Sequence, residues 1–416
     1  MSGLDHHKQN AKRGPSALAH TGVSHAELYP HRKVRHAHGE TLNYPVSSQT
    51  ILHKTTTHTV FQSTSSTENA FSSGGFCDIR VPAGALQVVK GFTVALEIVN
   101  NTAANVSLPA IPFLFDRVEV LGEAGGTQIA RWEPFQLWAP FRHLDGSSWV
   151  LNWKNAVYPG NNGVMGVGWT QTYYVPILGD VFCRNEAYLG HLKSDLYFRV
   201  WFKGPTAFQT APAAPPTLNV LSLIVEQDTF APEERFRLHD RALSSSLDYR
   251  FHRPGFQSIT ETLAPNTRYS FPLTAVQGVL SEMIITIRPA NASSAYAYSF
   301  RPWHSYELFD SGGASLTGGM PITAGYQKTI VDGQRQNSGA IDLLSPESHP
   351  IIIEFGSARA DFLHGSLTGY ITFSGMERLV LVTDTTITPG NYEVRIEYLA
   401  CARVNVNGGR ISVLPS

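Results

Sequence analysis

Short runs in which apolar and polar residues alternate recur along this chain. In Phe198-Arg199-Val200-Trp201-Phe202, Phe198, Val200 and Phe202 share one face and Arg199 and Trp201 the other. That period of two is the mark of a half-buried strand. Comparable runs are Phe92–Asn100, Phe113–Leu121, Tyr173–Leu178, Leu196–Phe202, Leu218–Gln227, Met283–Arg288, Ile351–Phe355, Tyr370–Phe373, Leu379–Val382 and Tyr392–Leu399. Gly, Pro and Asn turns separate them, and short strands so spaced predict β-sandwiches or barrels. Residues 55–73 hold eleven Ser/Thr around Val60, Phe61 and Phe71 and read as an extended lead-in or an edge strand. Helical signals are scarce. The best is Ala231–Leu243, where Pro232 suits the first helical position and Glu233 and Glu234 suit the positive N-terminal end.

The two halves echo each other at three places. Glu123-Ala124-Gly125-Gly126-Thr127-Gln128-Ile129 matches Asp310-Ser311-Gly312-Gly313-Ala314-Ser315-Leu316 as a tight acidic glycine turn between strands. Tyr174–Gly179 matches Tyr370–Gly375, and Phe198–Phe202 matches Val394–Tyr398. Three matches in order point to a tandem duplication. The division expected is an N-terminal arm over 1–54, a first β domain over 55–228, and a second over 229–416 that starts with a linker helix at about 231–243.

Composition sharpens this picture. The 416 residues carry only 16% charged side chains and a net charge of -1, against about 25% charged in an ordinary soluble protein. Ample aromatic and branched residues exclude wholesale disorder. The lack of a basic excess argues against a general nucleic-acid binder. So few charges suggest a large core or broad flanks covered by partners. The arm departs from this neutrality. Residues 1–40 hold seven of the 16 His and six Lys/Arg against three acids. Cys77, Cys183 and Cys401 are scattered and odd in number, and so form neither a disulfide framework nor a zinc spacing. A reducing compartment during folding is the simple reading. No run of 18 apolar residues and no apolar signal segment occurs, and the sequons at Asn100, Asn105 and Asn291 are expected to stay unused.

Motifs that would carry chemistry do not appear: there is no H-E-x-x-H, P-loop, G-x-S-x-G or paired C-x-x-C. The glycine-rich Gly163–Gly168 reads as a loop. His31, His36 and His38 lack a third fixed partner for a metal. Trp132, Phe135, Trp138, Phe141, Trp149 and Trp153 read as core or inter-subunit packing rather than a sugar platform. Arg199 and Arg395 read as ion-pairing residues. No catalytic residue, metal or cofactor is expected.

Ile224 through Arg235 (IVEQDTFAPEER), Phe113–Gly126, Ser305–Gly313 (SYELFDSGG) and the final stretch from Tyr392 to Gly409 resemble the strand, turn and helix units of one family. It is the double jelly-roll major capsid proteins of icosahedral DNA viruses, which include adenoviruses, giant DNA viruses, virophages and membrane-containing phages. The resemblance covers roughly residues 55–416. It implies an all-β chain of two tandem eight-stranded antiparallel jelly-roll β-sandwiches, with a short connecting helix and an extended N-terminal arm. It further implies homotrimers of pseudo-hexagonal outline that contact neighbouring capsomers and minor capsid or penton proteins in the virion shell, with the termini inside. Two rival readings are a tandem β-sandwich that binds or hydrolyses glycans, and a viral spike or receptor-binding protein. Within the arm, Lys8, Lys12, Arg13, Arg32, Lys33, Arg35, His36 and His38 are the residues expected to meet inner membrane lipid, packaged genome or a neighbouring capsomer.

Overall fold

The computed structural model describes residues 54–109, 111–122, 126–138, 164–177, 188–208, 215–244, 247–290, 301–327, 350–355 and 371–415. Ten strands come first: β1 (Lys54–Gln62), β2 (Gly75–Val81), β3 (Val88–Val99), β4 (Val106–Ser107), β5 (Phe115–Leu121), β6 (Gln128–Trp132), β7 (Val164–Met165), β8 (Thr170–Ile177), β9 (Leu196–Phe202) and β10 (Thr217–Phe230). A short helix α1 (Pro134–Trp138) follows β6. Helix α2 (Pro232–Ser244) leads into the second set. That set comprises β11 (Leu247–Leu263), β12 (Arg268–Pro272), β13 (Gln277–Pro289), β14 (Trp303–Phe309), β15 (Ile322–Thr323), β16 (Ile351–Glu354), β17 (Ile371–Ser374), β18 (Arg378–Thr383), β19 (Gly390–Asn407) and β20 (Arg410–Pro415).

The strands form two sandwiches with the same wiring. In the first roll, a sheet of order β1-β10-β3-β8 faces a sheet of order β2-β9-β5-β6. In the second, β11-β19-β13-β16, with β17 also on β13, faces β12-β18-β14-β15. All pairings are antiparallel, as in β10 with β3 and β13 with β19. The first roll is eight-stranded, with β4 and β7 making a small separate pair, and the second keeps the same two-sheet frame, with β17 added on β13 and β20 on β19.

Alternation drives each sandwich. In β9, Leu196, Phe198, Val200 and Phe202 are buried while Tyr197, Arg199 and Trp201 are half-exposed. Phe198 meets Phe92 of the opposing sheet at 4.8 Å between ring centroids. Such side chains contribute about 1.5–3 kcal/mol each on full burial. The second core is built the same way from Leu280, Ile285, Leu379, Leu381, Val394 and Ile396. Strand β19 joins the two cores. Val394 and Ile396 lie in the second, whereas Ala402, Val404 and Val406 lie in the first, covered by Ile411 and Val413 of β20.

The repeat holds at two of its three places. The matched glycine segments come after β5 and β14 in sequence, and those strands occupy equivalent positions in their sheets, although residues 123–125 lie outside the described residues; β8 and β17 both flank the third strand of their roll. The third match does not hold. Phe198–Phe202 lies in β9, whose counterpart is β18, while Val394–Tyr398 lies in β19, the counterpart of β10. The Φ-Arg-Φ pattern reports a half-buried strand and not which of the two sheets it joins.

Candidate functional site: the seam and the bare sheet face

The two rolls meet along a charged seam. The outer face of the sheet containing β11, β19 and β13 lies against the end of β6 and helix α1. At its centre Arg395 of β19 donates through Nη2 to Glu133, just before α1, and through Nε to Glu397 Oε1 at 2.9 Å. Its Nη1 lies 3.6 Å from Glu393 Oε1. Glu133 also accepts from Arg131 Nε at 2.7 Å, and Glu393 accepts from Arg288 Nε at 2.6 Å and from Ser258 Oγ at 2.7 Å. The ring of Phe256 lies under both Arg131 and Arg395, at 4.5 and 4.9 Å. Gln136 of α1 ties the backbones together: its Oε1 accepts from Glu133 N, and its Nε2 donates to Gly255 O. Glu133 and Glu397 are only 4% and 2% exposed. A carboxyl so buried is either paired or neutralised by a proton. Burial raises the Glu393 carboxyl, but hydrogen bonds and charge from Arg288 outweigh it and hold the group below the usual carboxylate range.

The equivalent face of the first roll is partly exposed. Val60 of β1 lies opposite Ile224, Ile224 opposite Thr93, and Thr93 opposite Pro176, so one row crosses all four strands. The adjacent row is Gln62, Ser222, Ala95 and Tyr174. Residues directly opposite in a sheet share a face. Neither row holds a charge, although Glu226 and Glu97 stand in the rows on either side; Val60 is 56% and Tyr174 43% exposed, while Ser222 and Ala95 between the strands are buried. In the second roll the corresponding row is Phe256, Glu397, Ile284 and Ile352. There Ile284 is buried into the first roll's core.

The other outward face of the first roll carries a ladder of cations and aromatics. Arg199 Nε and Nη2 donate to the two oxygens of Asp78 at 2.8 and 2.9 Å, and its guanidinium lies 4.1 Å from the Phe76 ring centroid. Trp201 Nε1 donates to Glu119 at 2.7 Å, with Arg117 over its ring. Arg199 and Arg395 are thus both ion-paired, Arg199 within its own sheet and Arg395 across the seam.

The eight arm residues Lys8, Lys12, Arg13, Arg32, Lys33, Arg35, His36 and His38 lie outside the described residues, as do Phe141, Trp149, Trp153 and Cys183. Trp132 is a core residue of β6, and Cys77 and Cys401 are buried. Asn100 is fully buried, and its Nδ2 donates to the carbonyls of Ala104, Met165 and Gly166, which leaves that sequon no room for a glycan. Among the described residues no cluster of His, Cys, Asp or Glu is placed to hold a metal, and no helix is long and apolar enough to cross a membrane. Local alternation could not reveal the seam, because its partners are drawn from opposite halves of the chain.

Two tandem jelly rolls joined by one helix and one shared strand define the double jelly-roll fold. Solved structures share it over most of their length. PBCV-1 VP54, fitted into a reconstruction of the virophage Sputnik, superposes with a TM-score of 0.64 at 13% identity, covering 88% of this chain and 98% of that one. The Faustovirus major capsid protein gives 0.57 at 9% identity, covering 91% and 93%. A chain of the Sputnik virophage, solved by cryo-electron microscopy, gives 0.52 at 11% identity, covering 90% and 91%. The likeness is one of fold. No protein-family model matches the sequence, and a search of curated proteins finds no match.

Proposed function

We propose that this chain is the major capsid subunit of an icosahedral virus and assembles with copies of itself into the shell. One observation carries the reading beyond fold. The outer face of the β11-β19-β13-β16 sheet is sealed by the first roll, whereas its counterpart on β1-β10-β3-β8 has two uncharged rows in which Val60 and Tyr174 remain exposed. A head-to-tail contact of this kind, repeated between chains, closes into a ring when the rotation allows. Three chains would bring six rolls, which matches the pseudo-hexagonal homotrimer that the resemblance implies. The low charged fraction of 16% fits flanks that neighbouring subunits cover.

In this reading residues 1–54 form an arm on the inner side, 55–228 the first roll and 229–416 the second. At the root of the arm, Lys54 pairs with Phe230, two residues before α2. Lys8, Lys12, Arg13, Arg32, Lys33, Arg35, His36 and His38 then meet anionic lipid, packaged genome or an adjoining capsomer, in contacts that weaken with salt. Penton and minor capsid proteins complete the shell.

Light scattering with negative-stain microscopy of the purified full chain tests the proposal. Trimers of three times the 45.7 kDa chain mass and hexagonal arrays are expected. Stable monomers would overturn it. Deleting residues 1–50 tests the arm separately: unchanged assembly and unchanged lipid and DNA association across salt would reject its role.

A further inference from the structure

Three arginines and three glutamates meet at the seam, and Glu397 differs from the other two acids. Glu133 has Arg131 besides Arg395, and Glu393 has Arg288 besides Arg395. Glu397 meets Arg395 through Oε1, while its Oε2 is buried with no hydrogen-bond partner among the described residues. A buried carboxylate oxygen left unpaired costs the full desolvation of its charge, whereas a protonated one does not carry that charge.

We propose that Glu397 is a protonation switch in the joint between the two rolls: with a proton on its buried carboxyl the seam is clamped, and loss of that proton loosens it.

The surroundings set the sign. On its own strand Glu397 is flanked by Arg395 and, one step further, Glu393. From β13 the residue opposite is Ile284; Arg288, opposite Glu393, acts on it by charge, and Glu282 lies on the same outward face. From the first roll come Glu133 and Arg131, and Lys203 at the end of β9 faces Arg288 and Arg395. From β11 the residue opposite is Phe256, and Arg253 reaches away to the Gln128 carbonyl. Burial pushes the Glu397 carboxyl up, the neighbouring charge of Arg395 opposes this, and Glu133 adds to the rise; the group stands at about 7. Unfolded, it titrates near an ordinary glutamate, at about 4.3. The folded chain therefore holds a proton that the unfolded chain has lost, and the seam weakens as pH rises from the ordinary glutamate range through about 7. Burial, helped by Arg288 and Arg395, holds Lys203 down at about 8, so its own charge loss overlaps the upper end of the window in which Glu397 titrates, and E397Q tells the two apart. This inference concerns the joint within one chain and stands whether or not the chain builds a shell.

Hydrogen exchange of the full-length protein, corrected for the intrinsic pH dependence of exchange, provides the test. Amides of Gln128–Trp132 and of Gly255–Ser258 should lose protection between pH 5.5 and 7.5, while those of β18 in the same chain do not. E397Q, which imitates the protonated acid, should abolish the change and keep the protected level at pH 7.5. An infrared carboxylic-acid band that titrates near pH 7 in the wild type and vanishes in E397Q supplies a readout independent of opening. Seam protection that is unchanged with pH, or that changes equally in E397Q, would overturn the proposal, as would the absence of that band.

Discussion

Arg395 and Glu133 form an ion pair across 262 positions of sequence, and the pair joins the second roll to the first. Both side chains are largely removed from water, at 12% and 5% exposure. Removing one partner of a buried pair leaves the other charge uncompensated and costs about 3–5 kcal/mol. Arg395→Met should fall near the low end of that range, because Glu133 retains Arg131, Glu393 retains Arg288, and Glu397 can be neutralised by a proton. Urea unfolding of R395M, E133Q and the double variant provides the check. A coupling energy of about 1 kcal/mol or more is expected, and strict additivity would show that the pair does not hold the rolls together.

The turn between β19 and β20 depends on glycine in a way that a second measurement can reach. Gly409 has φ +84°, and a Cβ added there would lie 2.5 Å from the His191 carbonyl oxygen. The obstacle is backbone and cannot move aside as a side chain would. Lys193 N also donates to the Gly409 carbonyl, which docks the hairpin on the first roll. Gly409→Ala should therefore destabilise the chain by about 1–3 kcal/mol. Thermal unfolding reads the loss, and Gly313→Ala, also at positive φ but with open space around it, should cost less.

Much of this architecture was legible in the chain, and the parts that were not share a cause. Alternation located β9 from Leu196 to Phe202 and most of β3, β10 and β18, because a strand buried on one face must alternate. Pro232-Glu233-Glu234 marked helix α2 for equally local reasons. The pattern at Phe113 and Leu114 predicts strand, yet they form a 3-10 turn before β5, since a short, wholly buried apolar run does not distinguish the two. The likeness of Phe198–Phe202 to Val394–Tyr398 was misleading because sheet membership is a tertiary property. Arg199 and Arg395 look alike in sequence. Only the fold gives one Asp78 and the other Glu133.

Acid should weaken the packing around helix α2. His191 is buried beside Tyr188, with ring centroids 6.4 Å apart, and α2 rests on Tyr188 through Leu238 and Ala242. Burial holds the imidazole below its ordinary range, against the Tyr188 backbone and with help from His239. An unfolded His takes up a proton at about 6.5, so the unfolded chain binds more protons just below that value. The stability this group contributes is full above about 6.5 and is lost as pH falls below it. The trend is opposite to that of Glu397, so the difference between variants is the informative quantity. His191→Gln should lose less melting temperature than the wild type between pH 7 and pH 5, and parallel profiles would remove His191 as the cause.

The partly exposed face of the first roll makes the sharpest separation between folding and assembly. Val60 is exposed on edge strand β1, opposite Ile224, and carries no hydrogen bond that its side chain could lose. A charge there remains solvated in the isolated chain, so Val60→Asp should change unfolding stability by no more than about 0.5 kcal/mol. In an assembled ring that covers Val60 the same charge would be buried without a partner provided for it, at a cost of several kcal/mol per contact. The variant should therefore melt like the wild type yet sediment as a monomer. Glu68→Gln, an exposed change off the two rows, serves as the control and should leave assembly intact. If V60D formed trimers as readily as the wild type, the contact between copies would lie on another face, and the sealed face of the second roll would no longer serve as its template.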